Sequence, residues 1–320
     1  MTETEDWRLI SVIIPNWNGA RFMPGVLDSL AAQTYPRVEV IVVDNASPDD
    51  SVALIERDYA WVRQVLLDEN RGLTGGVNAG IAVAQGEIIA LLNNDAEADP
   101  AWLEELARAL VAHPEAGAAA SKMLLYDQPD VLNSAGDFYT VAGEPGNWGV
   151  WERDEGQYDD VVYVFSGCGG AVAYRRAMLD HIGLFDESLF MYCEDVDLGW
   201  RAQLAGYKTV FAPRARVYHR LSATGGGVVA SYHCGRNFIY VLVKDVPGFV
   251  WRRYWPRILR AQFRHVGESL RHFCEPAARA RLRGQLASLL HIPRLLRQRR
   301  EVQATRVVSD DYIASILHHP

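Results

Sequence analysis

Two short stretches place carboxylates where a reaction can use them. In "EIIALLNNDAEADP" a mostly apolar run ends abruptly in Asn93, Asn94 and Asp95. In "CEDVDLGWRAQLAGY" a helical pattern opens on Glu194 and Asp195. Leu198, Ala202 and Ala205 of that pattern fall at helical spacing, and Gly206 stands where a helix is usually capped. Asp197 and Arg201 stand four apart, the spacing of a structural ion pair. Capping and the helix dipole account for one carboxylate at the helix start, but rarely call for two. Asp95 has a different chemistry: a lone carboxylate at a strand end, beside a glycine-rich helix start, suits a divalent cation bridging to a diphosphate.

The elements that must hold these residues alternate. "LISVIIP", "VEVIVVDN", "VRQVLLDE" and "EIIALLNND" have the Val/Ile/Leu content of strands buried on both faces. Helical stretches separate them over 23–33, 49–59 and 75–84. Strand–helix alternation predicts a parallel sheet with helices on both sides, and such sheets bind ligands beyond their carboxyl edge. Four strand ends then converge: Pro15 to Asn18, Asp44 to Ser47, Glu69 to Gly72, and Asn93 to Asp95. Gly72, Gly75 and Gly76 precede a helix expected to start near Val77. They serve equally as an anion cradle or as a tight turn. "NRGLTGG" is neither a Walker loop nor a GxGxxG turn.

The bulk properties fit a globular chain: 320 residues, 49% of them hydrophobic. No apolar run approaches the ~20 residues of a membrane span, and the N-terminal "MTETEDWRL" is acidic where a leader is basic and then apolar. The expectation is a cytosolic protein with reduced thiols, since the four cysteines form no CxxC pair that points to zinc or a disulfide framework. The formal charge of −8 hides an asymmetry. Between Lys244 and Arg306 fifteen Lys/Arg oppose four Asp/Glu, a local +11 that leaves −19 elsewhere. Within that basic tail Leu259, Phe263, Val266 and Leu270 form an apolar stripe among Arg257, Arg260, Arg264 and Arg271, with Trp251, Tyr254 and Trp255 alongside. Such a helix suits an anionic membrane surface, a cap on the core or a dimer surface. No recognition motif supports nucleic acid. Residues 142–160 read as a long loop in which Trp148 and Trp151 either stack on a sugar or pack against the body.

In order along the chain, "SVIIPNWN", "VIVVDNASPDDS", "NRGLTGGVNAGIAVAQGEIIALLNNDAEADPAWLEEL" and "GCGGAVAYRRAMLDHIGLFDESLFMYCEDVDLGWRAQLAGYKTVFAPRARVYH" resemble the blocks of the family 2 inverting glycosyltransferases, most of all a rhamnosyltransferase-like branch. The similarity runs from about Ile10 to about Gly227. It implies an α/β GT-A fold, a mostly parallel sheet flanked by helices, over 1–243, followed by a basic helical C-terminal extension over 244–320. It implies a nucleotide-diphosphate sugar donor, dTDP-rhamnose foremost, and a divalent metal, Mn2+ or Mg2+. By the resemblance, Asp44 reads the nucleobase, although the residues alone also permit a helix cap there. Pro15 and Asn18 contact the nucleoside, and Asn78 faces the donor. The family's Asp-x-Asp metal motif reads Asn93-Asn94-Asp95 here. Asp95 is then the surviving carboxylate, with Asn93 on a ribose hydroxyl or a metal-held water, and His219 completes the metal site. An imidazole ligand favours Mn2+ over Mg2+ in vitro. Asp195 is the general base for the acceptor hydroxyl, kept ionised by the helix start, and Arg220 is a candidate cation for the leaving diphosphate. The acceptor is a glycan or lipid-linked glycan, and the protein lies at the inner face of the cytoplasmic membrane as a monomer or oligomer. Two other classes remain open: a sugar nucleotidyltransferase, whose triphosphate loop "SVIIPNWNGARF" lacks, and a catalytically impaired glycan-binding relative, which the loss of an acid at Asn93 favours.

Overall fold

The computed structural model describes residues 8–220 and 226–320; the acidic residues 1–7 lie outside it. Four parallel strands come first: β1 (Ile10–Asn16), β2 (Val38–Asp44), β3 (Arg63–Leu66) and β4 (Ile88–Leu92). Helices α1 (Met23–Ala31), α2 (Ser51–Asp58) and α3 (Gly72–Val83) connect them, in the predicted order. β1, β4 and most of β2 are buried on both sides, and their alternation divides the core, whereas β3, at the sheet edge, is exposed at Arg63 and Leu66, against the expectation of a strand buried on both faces. Ile10, Val12, Ile14, Val40, Val42, Ala90 and Leu92 face one apolar cluster. Ile13, Ile41, Val43, Ile89 and Leu91 face another. One prediction fails locally. The α3 helix starts at Gly72, so Gly75 and Gly76 lie inside it rather than before it.

The second half continues with β5 (Ala96–Ala98), α4 (Trp102–Ala112), β6 (Ala116–Leu125), β7 (Leu132–Ser134), β8 (Asp137–Tyr139), β9 (Pro145–Asn147) and β10 (Tyr163–Val164). After these come β11 (Ala171–Arg175), α5 (Arg176–Ile182), α6 (Glu194–Leu204) and β12 (Lys208–His219). The main path of the sheet is β10-β12-β6-β11-β4-β1-β2-β3. β11 is antiparallel to both β4 and β6, whereas β6 and β12 are parallel. Reversing β11 brings its beginning, Gly169 and Gly170, to the edge where β1, β2 and β4 end. There the Asn93 backbone N–H donates to the Gly170 carbonyl at 2.9 Å.

The tail forms α7 (Gly227–Lys244), α8 (Gly248–Arg271), α9 (Pro276–Leu289), α10 (Ile292–Ala304) and α11 (Asp310–Ile316). Val241, Leu242, Val246, Val250, Ile258 and Ile313 share one core with Tyr139, Phe165 and Trp200 of the body. The division expected at 243/244 therefore falls in the last turn of α7. α8 buries Phe249, Val250, Tyr254, Ile258, Ala261 and Ser269, while of the predicted stripe Val266 is half-buried and Leu259, Phe263 and Leu270 are exposed, Phe263 by 71%. No helix among the described residues is long and apolar enough to cross a membrane. In the 142–160 region, β9 pairs with β8, and the buried Lys122 ammonium lies 2.9 Å from Asp154. Trp148 packs against Phe138 and His318, which answers its alternatives in favour of the body; Trp151 is exposed.

Candidate active site

A cavity of about 720 Å³ opens between the carboxyl edge of the sheet, α6 and α7. Pro15, Gly72, Asn93, Asn94, Asp95, Asp195 and His219 all line it. The sheet explains why residues so far apart in sequence meet. β12 ends antiparallel to β5 with His219 opposite Ala96, so the imidazole lands beside Asp95, its Nε2 lying 3.2 Å from Asp95 Oδ1. His219 Nδ1 is 2.9 Å from Asn133 Oδ1, an oxygen that only accepts, so Nδ1 carries the proton. Nε2 is thereby turned toward the Asp95 carboxylate.

Nε2 and Asp95 Oδ1 lie close enough to share one cation, and the outer hydrogen bond that fixes the imidazole is the usual support of a metal-ligating histidine. Their 3.2 Å separation suits two ligand atoms of one ion. Among the described residues no group of three or more His, Cys, Asp or Glu is arranged for a metal. A divalent ion held by Asp95 and His219 would have to draw its remaining ligands from water or a bound oxygen ligand. The residues fit the group.

Asp195 stands in the first turn of α6. Its Oδ2 accepts from the Gly169 N–H at 2.9 Å and its Oδ1 from the Val196 N–H at 2.8 Å. A side chain at Gly169 would crowd the Glu194 carboxylate, since a Cβ there would sit 3.0 Å from Oε1. The helix start and these two donors favour the ionised carboxylate. Burial opposes them and wins, so the Asp195 pKa is raised from its ordinary value. Burial thus works against the helix start, which is expected to keep this carboxylate ionised. Glu194 is pushed further, to about 8, by burial and then by the Asp195 charge. Of the two, Asp195, with two N–H donors, is the member that carries charge more readily.

Other expected contacts are placed elsewhere. Asp44 does not line the cavity. Strand register sets it beside Asn16, whose Nδ2 donates to Asp44 Oδ1 at 2.9 Å, while the Ser47 N–H donates to Oδ2 at 2.9 Å. Asn18 is exposed outside the cavity, its backbone N–H on Ser47 Oγ. Asn78 is turned away: its amide donates to the Phe185 carbonyl at 2.9 Å and to Glu187 Oε1 at 3.1 Å, and its oxygen accepts from the Phe185 N–H. The α3 helix begins a turn earlier than expected, and the face carrying Asn78 packs on the 185–187 segment. Asn94 lines the wall, but its amide donates to Asn16 Oδ1 at 2.9 Å. Arg220 is engaged by Glu97 at 2.8 Å and lies over the Tyr126 ring.

Asn133, Asp137 and Asn147, which no sequence feature marks, also line the cavity, as do Asn16 and Asn45. Asn16 and Asn45 sit within strand ends that were already singled out. Asp137 comes from β8, where no pattern marks it; it is buried, accepts from Ser166 Oγ at 2.7 Å and Asn147 Nδ2 at 2.6 Å, and is raised by burial and by Asp195.

Residues 11–183 match the family described as Glycosyl transferase family 2. The chain belongs to that family. This family 2 glycosyltransferase is 31% identical, over 67% of its length, to an O-antigen biosynthesis protein of Myxococcus xanthus, of which it covers 17%. It is 28% identical, over 76% of its length and 87% of the relative's, to N-acetylglucosaminyl-diphospho-decaprenol L-rhamnosyltransferase of Mycobacterium tuberculosis. Among solved structures it resembles a mannosyltransferase from Pyrobaculum calidifontis in complex with GDP-Man and Mn2+. The TM-score is 0.57 at 18% identity, covering 94% of this glycosyltransferase and 86% of the other chain. The fold is GT-A, a mixed sheet wrapped by helices.

Proposed function

We propose that the chain transfers a sugar from a nucleotide-diphosphate donor, dTDP-rhamnose foremost, to a hydroxyl of a glycan or lipid-linked acceptor in one inverting displacement. The observation that carries this reading is that Asp195 and the Asp95–His219 pair open onto the same cavity. The acceptor hydroxyl gives its proton to Asp195 as its oxygen bonds to the anomeric carbon, and the bond from that carbon to the diphosphate breaks, its electrons leaving with the nucleotide. Neutral Glu194 adds no second charge beside the base. Asp95 and His219 would hold Mn2+ or Mg2+, which supplies positive charge for the departing diphosphate. Asn93 and the Pro15 strand end are assigned to the nucleoside. The rhamnosyltransferase relative supports the sugar and a lipid-linked acceptor. The exposed apolar stripe of α8, with Arg257 and Arg260 beside it, supports peripheral contact with an anionic membrane face.

Calorimetry with dTDP, UDP and GDP, with and without Mn2+, on the natural chain and on Asp95→Asn, tests the donor site. Manganese-dependent binding of one nucleotide, lost in the variant, supports the reading. If no nucleotide binds, the impaired glycan-binding alternative replaces it. Asp195→Asn should abolish transfer, by about 10³-fold or more, while retaining nucleotide binding.

A further inference from the structure

The chain reaches α6 and its base by an unusual backbone path. Phe190, Tyr192 and Cys193 all adopt left-handed conformations, with φ of 65°, 67° and 66°, and none is glycine. Side chains disfavour this region, so the surroundings must impose it. They do so from α7. The fully buried Asn237 turns its Nδ2 to three carbonyls of this segment, Leu189 at 3.0 Å, Met191 at 2.9 Å and Tyr192 at 2.7 Å. The orientation of that amide is set by its neighbour: Arg236 Nε donates to Asn237 Oδ1 at 2.9 Å, which leaves only the NH2 group to face the carbonyls. Arg236 Nη2 adds donations to Ser188 O at 2.9 Å and Leu189 O at 2.8 Å. On the opposite side the Phe190 carbonyl accepts from the Thr74 N–H of α3 at 3.2 Å, and any side chain at Gly72 would run into that carbonyl.

We infer that Asn237, oriented by Arg236, is a positioning residue for the transfer reaction. It holds the Phe190–Cys193 segment in its left-handed path and so fixes where α6 presents Asp195 to the acceptor hydroxyl. The inference rests on the reading of Asp195 as the base. Arg236 and Asn237 touch neither the cavity nor its expected ligands. They act through the loop, and they tie the C-terminal helices to the chemistry.

The test compares Asn237→Ala, Arg236→Gln, and Asn237→Ala combined with Cys193→Gly. The measurements are kcat, KM for the sugar nucleotide, nucleotide binding, thermal unfolding, and hydrogen exchange of the amides from 190 to 196. Displacing a base by about 1 Å costs about 10²-fold. Asn237→Ala should lower kcat by about that factor, leave KM and nucleotide binding within about threefold, and speed exchange across the segment. Glycine tolerates a positive φ, so Cys193→Gly on that background should restore kcat about tenfold. The inference is overturned if KM and nucleotide binding worsen as much as kcat, or if the glycine restores nothing. If Asn237→Ala does not fold, Arg236→Gln decides: a fall in kcat with nucleotide binding intact supports the inference, and unchanged kcat overturns it. If the natural chain transfers no sugar, the functional reading has failed, and hydrogen exchange alone judges the clamp.

Discussion

Replacing Glu194 with glutamine separates the two adjacent carboxylates by charge. Glu194 is buried, its Oε2 has no hydrogen-bond partner, and its pKa rises from 4.5 to about 8. At 1.36 kcal/mol per pH unit the shift corresponds to about 5 kcal/mol, an upper figure because Asp195 shares the proton balance. The folded chain keeps a proton that the unfolded chain releases above 4.5. This contribution to stability is therefore full below pH 4.5, declines as pH rises, and is gone above about 8. Glutamine preserves the shape and removes the titration. The variant and the natural chain should melt together near pH 5, with the variant gaining about 10 °C by pH 9 at about 2 °C per kcal/mol. Scanning calorimetry at intervals from pH 5 to 9 reads this directly. Transfer by the variant should stay within a few-fold, because Asp195 remains the charged member. A melting difference that does not change with pH, or a loss of transfer as complete as that of Asp195→Asn, would refute the assignment of charge.

Other outcomes follow from the same geometry. Removing the imidazole in His219→Ala should weaken Mn2+-dependent nucleotide binding about 10–100-fold, and Asn133→Ala, which frees the imidazole to turn, about tenfold, both read by calorimetry. Lys244 is buried between Asp186, at 2.8 Å, and Asp197. Lys244→Met should therefore destabilise by about 3–5 kcal/mol in denaturant titration, because the largely buried Asp186 loses its counter-charge and the buried Asp197 keeps only Arg201. Phe263→Asp on the exposed stripe should leave melting unchanged and weaken binding to anionic vesicles roughly 30-fold, the loss of about 2 kcal/mol of apolar contact; undiminished sedimentation with vesicles would remove α8 from the membrane reading.

The parallel half of the sheet was legible because strands buried on both faces are written as unbroken Val/Ile/Leu runs. Ile10 to Ile14 and Ile88 to Leu92 could be read at sight. The Asp197–Arg201 pair and the Gly206 stop were equally local, and both are present. The start of α3 was misjudged because three glycines in five residues argue against a helix by propensity. Packing on Asn45 and on the Phe190 turn overrides it, since neighbouring groups leave no room for side chains there. The donor roles of Asp44 and Asn78 follow from the family resemblance, and neither residue lines the cavity.

By itself the sequence determined which residues stand at strand and helix ends, and hence that Asp95 and Asp195 would be held at element termini, because periodicity and capping act over a few neighbouring residues. Only the tertiary structure decided that His219 meets Asp95, that Asp137 and Asn147 join the cavity, and that Asn237 grips the approach to the base. Each of these depends on the antiparallel insertion of β11, the register of β12 against β5, or the docking of α7. Such contacts join residues dozens of positions apart, and their energies come from burial and hydrogen bonds that no local stretch of chain contains.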